Sequence, residues 1–176
     1  MALTEIPERK DIKPGDMWDL SPLFADDNEW DRLYASLENR IGEYDSFNGR
    51  MSLSLKQFRN TIEFDIAVSR DLEKLYTYAH LKSDEEKSNQ FYLAMYQKSV
   101  NLYTRISEAS SFITPEIQSI DETLVRTYMQ DLSMKDYTFY LEKILRYRPH
   151  TRTHEIEQIL AMSGEVAMRL HRYSAS

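Results

Sequence analysis

Segment 72–113 constrains the fold more than any other part of the chain. Its second half carries a stripe of residues spaced alternately by three and four: Tyr92, Met95, Ser99, Leu102, Ile106, Ala109 and Ile113. This repeat places all seven on one side of an α-helix. The first half repeats the pattern with Leu72, Leu75, Tyr76, Ala79 and His80, and the intervening SDEEKSN has no apolar residue. We predict two long helices that must bury their stripes, because neither is stable alone in water.

Helix-breaking residues are scarce in this chain of 176 residues. It has only 4 Gly and 5 Pro, and it is long enough for one domain with a hydrophobic core. A hydrophobic fraction of 41% excludes a disordered chain. The chain has no Cys, which excludes disulfides, thiolate zinc ligands and cysteine nucleophiles and suits a reducing cytoplasm.

Charge and hydropathy limit the expected partners. The net charge of -7 argues against non-specific binding to nucleic acid. No apolar run approaches the ~20 residues of a membrane span, and MALTEIPERKDIKPGD at the start of the chain lacks the apolar stretch of a signal peptide. We therefore expect a cytoplasmic protein that binds neither nucleic acid nor membrane.

Residues 1–25 are predicted to form an extended arm. Three of the five prolines lie here, and each disfavours helix in the residue before it. The expected anchors are Met17, Trp18, Leu20, Leu23 and Phe24. For Trp18 we favour an aromatic side chain that pins the arm to the helices over a ligand-facing indole, which nothing nearby supports.

Residues 26–176 are predicted to form one helical domain. Asp26, Asp27 and Asn28 are candidate caps for a first helix that reaches about Tyr44, and Gly49 suits a turn after it. Ser54 is expected to cap a helix of about 30 residues, for which a bend near Ser69 stays open. Later boundaries are expected at Ser88, Thr114, Pro115, Asp121, Ser133, Pro149 and Thr153. No segment reads as a strand. The predicted fold is all-α, an antiparallel bundle of long helices with an extended N-terminal arm and no sheet.

The sequence carries no motif that identifies a catalytic, cofactor-binding or metal-binding residue. The acidic corner Asp84, Glu85 and Glu86 is interpreted as a solvated loop, because no ligand spacing accompanies it. His154, Glu155 and Gln158 come close to the HExxH motif of zinc peptidases, but an amide replaces the second histidine. His80, His150 and His171 are single, and His80 is interpreted as a hydrogen-bonded core or interface residue.

At this point two segments carry a resemblance to a known family. They are YTYAHLKSDEEKSNQFYLAMYQKSVNLYTRISEASSFITPEI and YLEKILRYRPHTRTHEIEQILAMSGEVA. Both resemble the N-terminal helical region of oligoendopeptidase F, a bacterial zinc oligopeptidase related to thimet oligopeptidase. The resemblance covers roughly residues 8–167, nearly the whole chain. Its most specific pieces are residues 76–79, 112–116 and 148–151.

The resemblance implies a helical domain that packs against a catalytic domain and helps to wall a peptide channel. The family's HExxH helix, its third zinc ligand and its substrate-binding residues are expected beyond the end of this chain, so none is assigned here. We therefore expect this chain alone to be inactive. Two departures are Arg152, where the family usually has an apolar residue, and the tail MRLHRYSAS after Ala167, which no longer resembles the family. A truncated gene product or a frameshift would account for that tail.

Two other functions stay open. One is a free-standing helical module for protein–protein interaction, and the other is a metal-binding protein that uses His150, His154 and His171. If the chain is part of a larger enzyme, a face that the catalytic domain normally covers should be bare. The aromatic side chains Tyr92, Tyr96, Tyr103, Tyr140 and Tyr147 indicate such a face, so we expect a homo-oligomer that associates through it.

Overall fold

The computed structural model describes residues 12–148, in which there are six α-helices, four short 3₁₀ helices and no strand. The α-helices are α1 (Asp27–Arg40), α2 (Leu55–Glu85), α3 (Gln90–Ser110), α4 (Ile113–Ser119), α5 (Glu122–Met129) and α6 (Thr138–Tyr147). The predicted all-α helical bundle is confirmed. The chain divides into two compact units, the first ending at Glu116 and the second beginning at Ile117. None of the helices in the described range is long and apolar enough to cross a bilayer.

Side-chain caps begin the first three helices. Asp26, Ser54 and Asn89 each accept a hydrogen bond from a backbone N–H in the first turn of the helix that follows, at 2.9, 3.2 and 3.0 Å. These N–H groups have no partner inside the helix, so each cap satisfies a donor that would otherwise need water. The predicted caps Asp26 and Ser54 are confirmed, whereas α3 was expected to begin at Ser88 and is capped by Asn89 instead.

The link between α1 and α2 is mostly 3₁₀ helix. The predicted first helix reached about Tyr44, but α1 ends at Arg40 and the chain tightens into a 3₁₀ helix over Ile41–Ser46. Gly49 then has φ +74°, the left-handed conformation predicted for it.

A carboxylate that lies far along the chain holds this link. The two oxygens of Glu116 accept hydrogen bonds from the backbone N–H groups of Gly49 and Met51, each at 2.8 Å. Met51 is fully buried beside them. Hydrogen bonds to an ionised acceptor are among the stronger ones in proteins. The segment 112–116, one of the specific pieces of the family resemblance, therefore contributes a structural clamp.

Helix α2 runs for 31 residues without a break, as predicted, and both α1 and α3 pack on it. Its buried residues are Phe58, Thr61, Ile62, Val68, Leu72, Leu75, Tyr78 and Ala79, and those of α3 are Met95, Ser99, Leu102 and Ile106. The short link of residues 86–89 makes α2 and α3 an antiparallel hairpin. In α1, the buried Trp30 donates its indole N–H to the carbonyl oxygen of Leu75 at 2.8 Å.

Asp27 ties the start of α1 to both helices of the hairpin. Its carboxylate accepts a hydrogen bond from the Tyr78 hydroxyl at 2.8 Å and a longer one from the Tyr92 hydroxyl at 3.5 Å. The ammonium group of Lys82 lies 5.5 Å and 5.1 Å from the centres of the two rings. Burial, and then the bond to Asp27, raise the pKa of Tyr78, so its hydroxyl remains a donor at neutral pH.

Phe24 anchors the described part of the arm. It is 4% exposed, meets the Tyr78 ring edge-on at 5.1 Å, and carries the Lys74 ammonium 4.4 Å from its ring centre. Trp18 is 55% exposed, so the prediction that it pins the arm is wrong. Residues 12–25 include one 3₁₀ turn, Pro14–Asp16.

Helix α4 begins earlier than predicted. Thr114 was expected to cap a segment that starts with Pro115, but the helix already begins at Ile113, and Pro115 is its third residue. A proline is tolerated there because the N–H groups of the first turn have no partner inside the helix.

The second unit shows one confirmed cap and one wrong one. Asp121 caps α5 as predicted, accepting from two N–H groups at 2.9 and 3.2 Å. Ser133 was predicted to cap the next helix, but Asp131 accepts a hydrogen bond from its N–H and a 3₁₀ helix follows over Leu132–Tyr137. Helix α6 starts only at Thr138. The predicted stop at Pro149 and the last helix from Thr153 lie outside the described residues.

Asp65 is a partly buried carboxyl group in the first unit. It accepts a hydrogen bond from the Tyr44 hydroxyl at 2.9 Å, and the Tyr44 ring meets Phe64 edge-on at 5.0 Å. Burial raises the pKa of Asp65 above its ordinary value, and the bond from Tyr44 opposes that rise. The negative charge of Asp65 at neutral pH therefore lowers the free energy of unfolding.

Replacing Leu102 by alanine should lower the free energy of unfolding by about 2–5 kcal/mol, because the side chain is fully buried and its removal leaves a cavity. Val100→Ala is the control, since Val100 is 41% exposed on the same helix and should change stability by less than about 0.5 kcal/mol. Urea denaturation measures both. Equal midpoints for the two variants would contradict the assigned orientation of α3.

Asp65→Asn should raise the urea midpoint at pH 7. A carboxyl group with a raised folded pKa binds its proton more tightly when folded, so it favours folding at low pH. That stabilisation is lost as the pH rises from the unfolded pKa, about 3.9, through the folded one. Asparagine removes the buried charge and keeps an acceptor for Tyr44, so the gain should shrink towards pH 4. Asp45→Asn, at an exposed position, is the control. A lower midpoint for Asp65→Asn at pH 7 would contradict this account.

Candidate functional site

Of the four histidines, His80 is the one that lies among the described residues. The His80 side chain is 44% exposed, so the core assignment is wrong, and its Nε2 lies 3.5 Å from an Asp84 carboxylate oxygen. Its ring stacks on Tyr76 with 5.8 Å between centroids. A role for His80 at an interface stays a prediction. His150, His154 and His171, together with Glu155 and Gln158, lie outside the described residues.

Metal ligands do not cluster in the part of the chain that the structure describes. Residues 12–148 contain no group of three or more His, Cys, Asp or Glu side chains that could hold a metal ion. The acidic corner is only partly the loop that was predicted, because Asp84 and Glu85 lie in the last turn of α2 and only Glu86 follows it. Asp84 faces His80, and Glu86 accepts a hydrogen bond from the Asn89 side-chain amide at 3.1 Å. These residues therefore do not fit a zinc centre, and no zinc-dependent step is assigned to them.

A second stripe lies beside the buried stripe on each helix of the hairpin, and we call the two together the hairpin flank. On α2 it comprises Ser69, Glu73, Tyr76 and His80, and on α3 Tyr96, Val100, Tyr103, Ser107 and Ser110. The spacings are 4-3-4 and 4-3-4-3, which keep each set on one side of its helix. Sequence reasoning missed this feature, although the regular spacing of hydroxyl-bearing and aromatic residues was the signal for it.

Four rings make contact along the hairpin flank. The Tyr76 and Tyr96 hydroxyls are 3.1 Å apart in a hydrogen bond, and their ring centroids are separated by 5.5 Å. Tyr103 lies 6.3 Å from Tyr76, and His80 lies 5.2 Å from Tyr96. Pairs of aromatic rings at such distances contribute stability beyond their buried area. The cluster therefore fixes the orientation of Tyr76, which contacts all three other rings.

The hairpin flank encloses a groove of about 480 Å³ between α2 and α3. Its lining residues are Ser69, Leu72, Glu73, Tyr76, Thr77, Tyr103, Ile106, Ser107 and Ser110. Leu72 and Ile106 are buried and form an apolar floor, whereas Tyr103 is 53% exposed at the rim. The volume lies in the range typical of small-ligand sites, about 300–1,000 Å³.

One charge and several neutral hydroxyls give the groove its polarity. Glu73 is the charged residue of the lining, which has four Ser or Thr hydroxyls and two phenols. The hydrogen bond with Tyr96, together with burial and nearby negative charge, raises the pKa of Tyr76, so this phenol is neutral at physiological pH. The groove can therefore accept hydrogen bonds and attract a positive charge.

A hollow of about 390 Å³ in the second unit is a weaker candidate. Its lining comprises Glu122, Arg126, Glu142, Leu145 and Arg146. Arg126 already pairs with Glu122: its Nε and Nη2 atoms lie 2.8 and 2.7 Å from one carboxylate oxygen. Arg148 lies 4.0 Å from the other oxygen of Glu122. Two of its four charged side chains are thus paired with each other, and Leu145 is the one apolar residue of the lining, so the groove of the hairpin flank, with its apolar floor, is the better candidate site.

Comparison with known proteins relates the chain to peptidases. A family profile described as Oligopeptidase F matches residues 116–169. The chain is 30% identical over 163 residues to the oligopeptidase PepF of Bacillus subtilis, a match that covers 92% of this chain and 24% of that protein. It is 31% identical over 153 residues to an oligoendopeptidase F homolog of Borreliella burgdorferi, covering 87% of this chain and 26% of the relative.

Solved structures share the fold. A Chlamydophila abortus protein described as a peptidase superimposes with a TM-score of 0.80 at 28% identity, over 90% of this chain and 27% of that protein. The oligoendopeptidase-F of Enterococcus faecium gives a TM-score of 0.68 at 32% identity, over 80% of this chain and 28% of that enzyme.

The matches run through nearly all of this chain but only about a quarter of each relative. In both fold and sequence, the chain matches the helical N-terminal part of proteins described as peptidases. The chain is similar to the N-terminal region of oligoendopeptidase F peptidases, as its resemblance to that family predicted.

Proposed function

We propose that the chain is the N-terminal helical domain of an oligoendopeptidase F-like zinc metallopeptidase that cleaves short peptides. The observation that carries this proposal is the match of nearly the whole chain to about a quarter of proteins named as oligopeptidases, in both sequence and fold. In this proposal the zinc site and the catalytic residues belong to the other three quarters of such an enzyme. The setting would be cytoplasmic, in keeping with the lack of Cys.

The role proposed for this domain is to help wall the peptide channel. The hairpin supports that role because it is long, is rigidly held at Asp27 and Trp30, and carries a groove on one side. Residues held by packing and by hydrogen bonds keep a binding surface in one geometry. The domain would thus contribute to the binding of peptides and not to the cleavage step.

The partner proposed for the domain is the catalytic part of the parent enzyme, and a second copy of this chain when that part is absent. Large apolar side chains are exposed in both units: Phe91 (57%) and Tyr103 (53%) in the first, and Leu132 (90%), Phe139 (81%) and Tyr147 (57%) in the second. Of the tyrosines expected on a bare face, Tyr92, Tyr96 and Tyr140 are only partly exposed. Where such side chains form a contiguous patch, they mark an interaction surface, and we propose that Leu132 and Phe139, the most exposed of them, belong to one.

The purified chain should show no peptidase activity and bind no stoichiometric zinc, because Gln158 occupies the place of the second histidine of HExxH. A quenched-fluorescent peptide assay and elemental analysis test this. One zinc per chain, with turnover that Glu155→Gln abolishes, would contradict the proposal. Coding DNA immediately downstream that holds an HExxH frame would support it, whereas the lack of such a frame would favour a free-standing interaction module.

The chain should self-associate, with a dimer as the simplest form, because removing exposed apolar side chains from water is favourable. Light scattering over a range of concentrations measures this. Leu132→Ser combined with Phe139→Ser should shift the protein towards the monomer, whereas Leu53→Ser, at a residue that is 70% exposed in the first unit, is the control. A strictly monomeric parent that binds no hydrophobic dye would contradict the expectation.

A further inference from the structure

We propose that the groove of the hairpin flank is a binding site for an organic cation on an apolar stem, the chemistry of a lysine or arginine side chain of a peptide. The proposal depends on the groove alone and would stand even if the parent protein were not a peptidase. Three features of the lining support it: the shape, the charge and the aromatic walls.

The shape suits a side chain with an apolar stem. Leu72 and Ile106 make the floor apolar, and the aromatic rings of Tyr76 and Tyr103 stand at the side, 6.3 Å apart and inclined by 57°. A methylene chain on this floor would bury apolar surface, while its polar end reaches the hydroxyl-bearing wall. The groove, at about 480 Å³, has room for one long side chain and part of the backbone that carries it.

The charge suits a cation. Glu73 is the charged group of the lining, and within residues 12–148 it makes no ion pair and no side-chain hydrogen bond. By contrast, Asp71 pairs with Arg40 at 3.0 Å, and Asp84 faces His80 at 3.5 Å. An anion in this groove would be repelled by Glu73, and a wholly apolar ligand would remove water from that carboxylate without compensation.

The aromatic walls of the groove also favour a cation. Elsewhere in the chain, cations already occupy the ring faces: Lys74 lies over Phe24 at 4.4 Å, and Arg40 lies over Phe64 at 5.0 Å. In the described part of the chain, no lysine or arginine lies over Tyr76 or Tyr103. Cation–π attraction acts within ~6 Å of a ring centre and is favourable at partly exposed sites. The Tyr103 ring, and the face of Tyr76 on which His80 does not stack, therefore remain for an external cation.

The test is an NMR titration of the whole chain with a short peptide capped at both ends, Ac-Ala-Leu-Arg-Leu-Ala-NH₂. The caps remove the terminal charges, so the guanidinium is the one cation present. We expect saturable shifts of amide signals around Glu73, Tyr76 and Tyr103, with binding that weakens as salt is added. A matched peptide with citrulline in place of arginine should bind at least about tenfold more weakly, a difference of about 1.4 kcal/mol.

Two variants assign the effect to residues. Glu73→Gln should weaken binding of the arginine peptide about tenfold, whereas Glu43→Gln removes the same charge at an exposed position outside the lining and should leave binding unchanged. Tyr103→Leu keeps apolar bulk and removes the ring, so it should also weaken binding. Glu73 is exposed, so its replacement should not impair folding, and circular dichroism verifies this.

The source of the cation is distinguished by a third ligand, n-butylguanidinium. Tighter binding of the peptide than of the small cation assigns the groove to a peptide side chain, and equal binding assigns it to a free organic cation; either outcome supports a cation site. Equal affinity for the arginine and citrulline peptides, equal effects of Glu73→Gln and Glu43→Gln, shifts confined to other parts of the chain, or no binding at millimolar concentration would each overturn the proposal.

Discussion

Burial of the α2 stripe against the α3 stripe is the interaction on which the rest of the first unit depends. A helix of 31 residues gains little stability from its own hydrogen bonds in water, so its persistence requires an apolar partner. Helix α3 supplies that partner with Met95, Leu102 and Ile106, all nearly fully buried. Helix α1 packs on the same hairpin through α2. The groove has the same origin, because Leu72 and Ile106 of the buried stripes form its floor and the residues that border the stripes form its sides.

Directional polar contacts select one arrangement among those that apolar burial allows. Apolar burial is nearly non-directional, and a helix that slides by one turn would still bury much of its stripe. The bond from Trp30 to the Leu75 carbonyl and the bonds from Tyr78 and Tyr92 to Asp27 each require one register. A slipped register would leave these partly buried groups unpaired, at a cost larger than the net gain of a bond that is made. The two bonds that Glu116 accepts from the backbone N–H groups of Gly49 and Met51 act in the same way at the other end of the hairpin.

The sequence predicted the features that depend on local chemistry. Periodicity located the helices and most of the core of the hairpin, and the caps at Asp26, Ser54 and Asp121 followed from side chains that can accept N–H bonds in a first turn. Prediction from the sequence failed where alternative local structures are close in energy. Asp131 and Ser133 are both good caps, and only packing decides that Asp131 begins a 3₁₀ helix there.

Exposure was harder to predict than helix position. Trp18 and His80 were both expected to be buried by neighbouring parts of the chain. Periodicity shows which side of a helix is apolar, but it does not show how much of that side a neighbouring element buries. The groove was missed for a related reason. Its residues belong to two helices, and its volume depends on the distance and rotation between them, which no single stripe encodes.

The location of the groove has a consequence for how such a domain would act in an enzyme. Contacts with parts of a substrate remote from the reacting bond can be used to orient that bond, and in this way binding energy contributes to rate. Such contacts need a rigid frame more than reactive side chains. The hairpin meets that requirement, since Tyr76 is held by three neighbouring rings and Leu72 and Ile106 are fixed in the core. In the proposed enzyme, a groove lined by two phenols, four Ser or Thr hydroxyls and one carboxylate would serve to position a peptide for a reaction that takes place elsewhere.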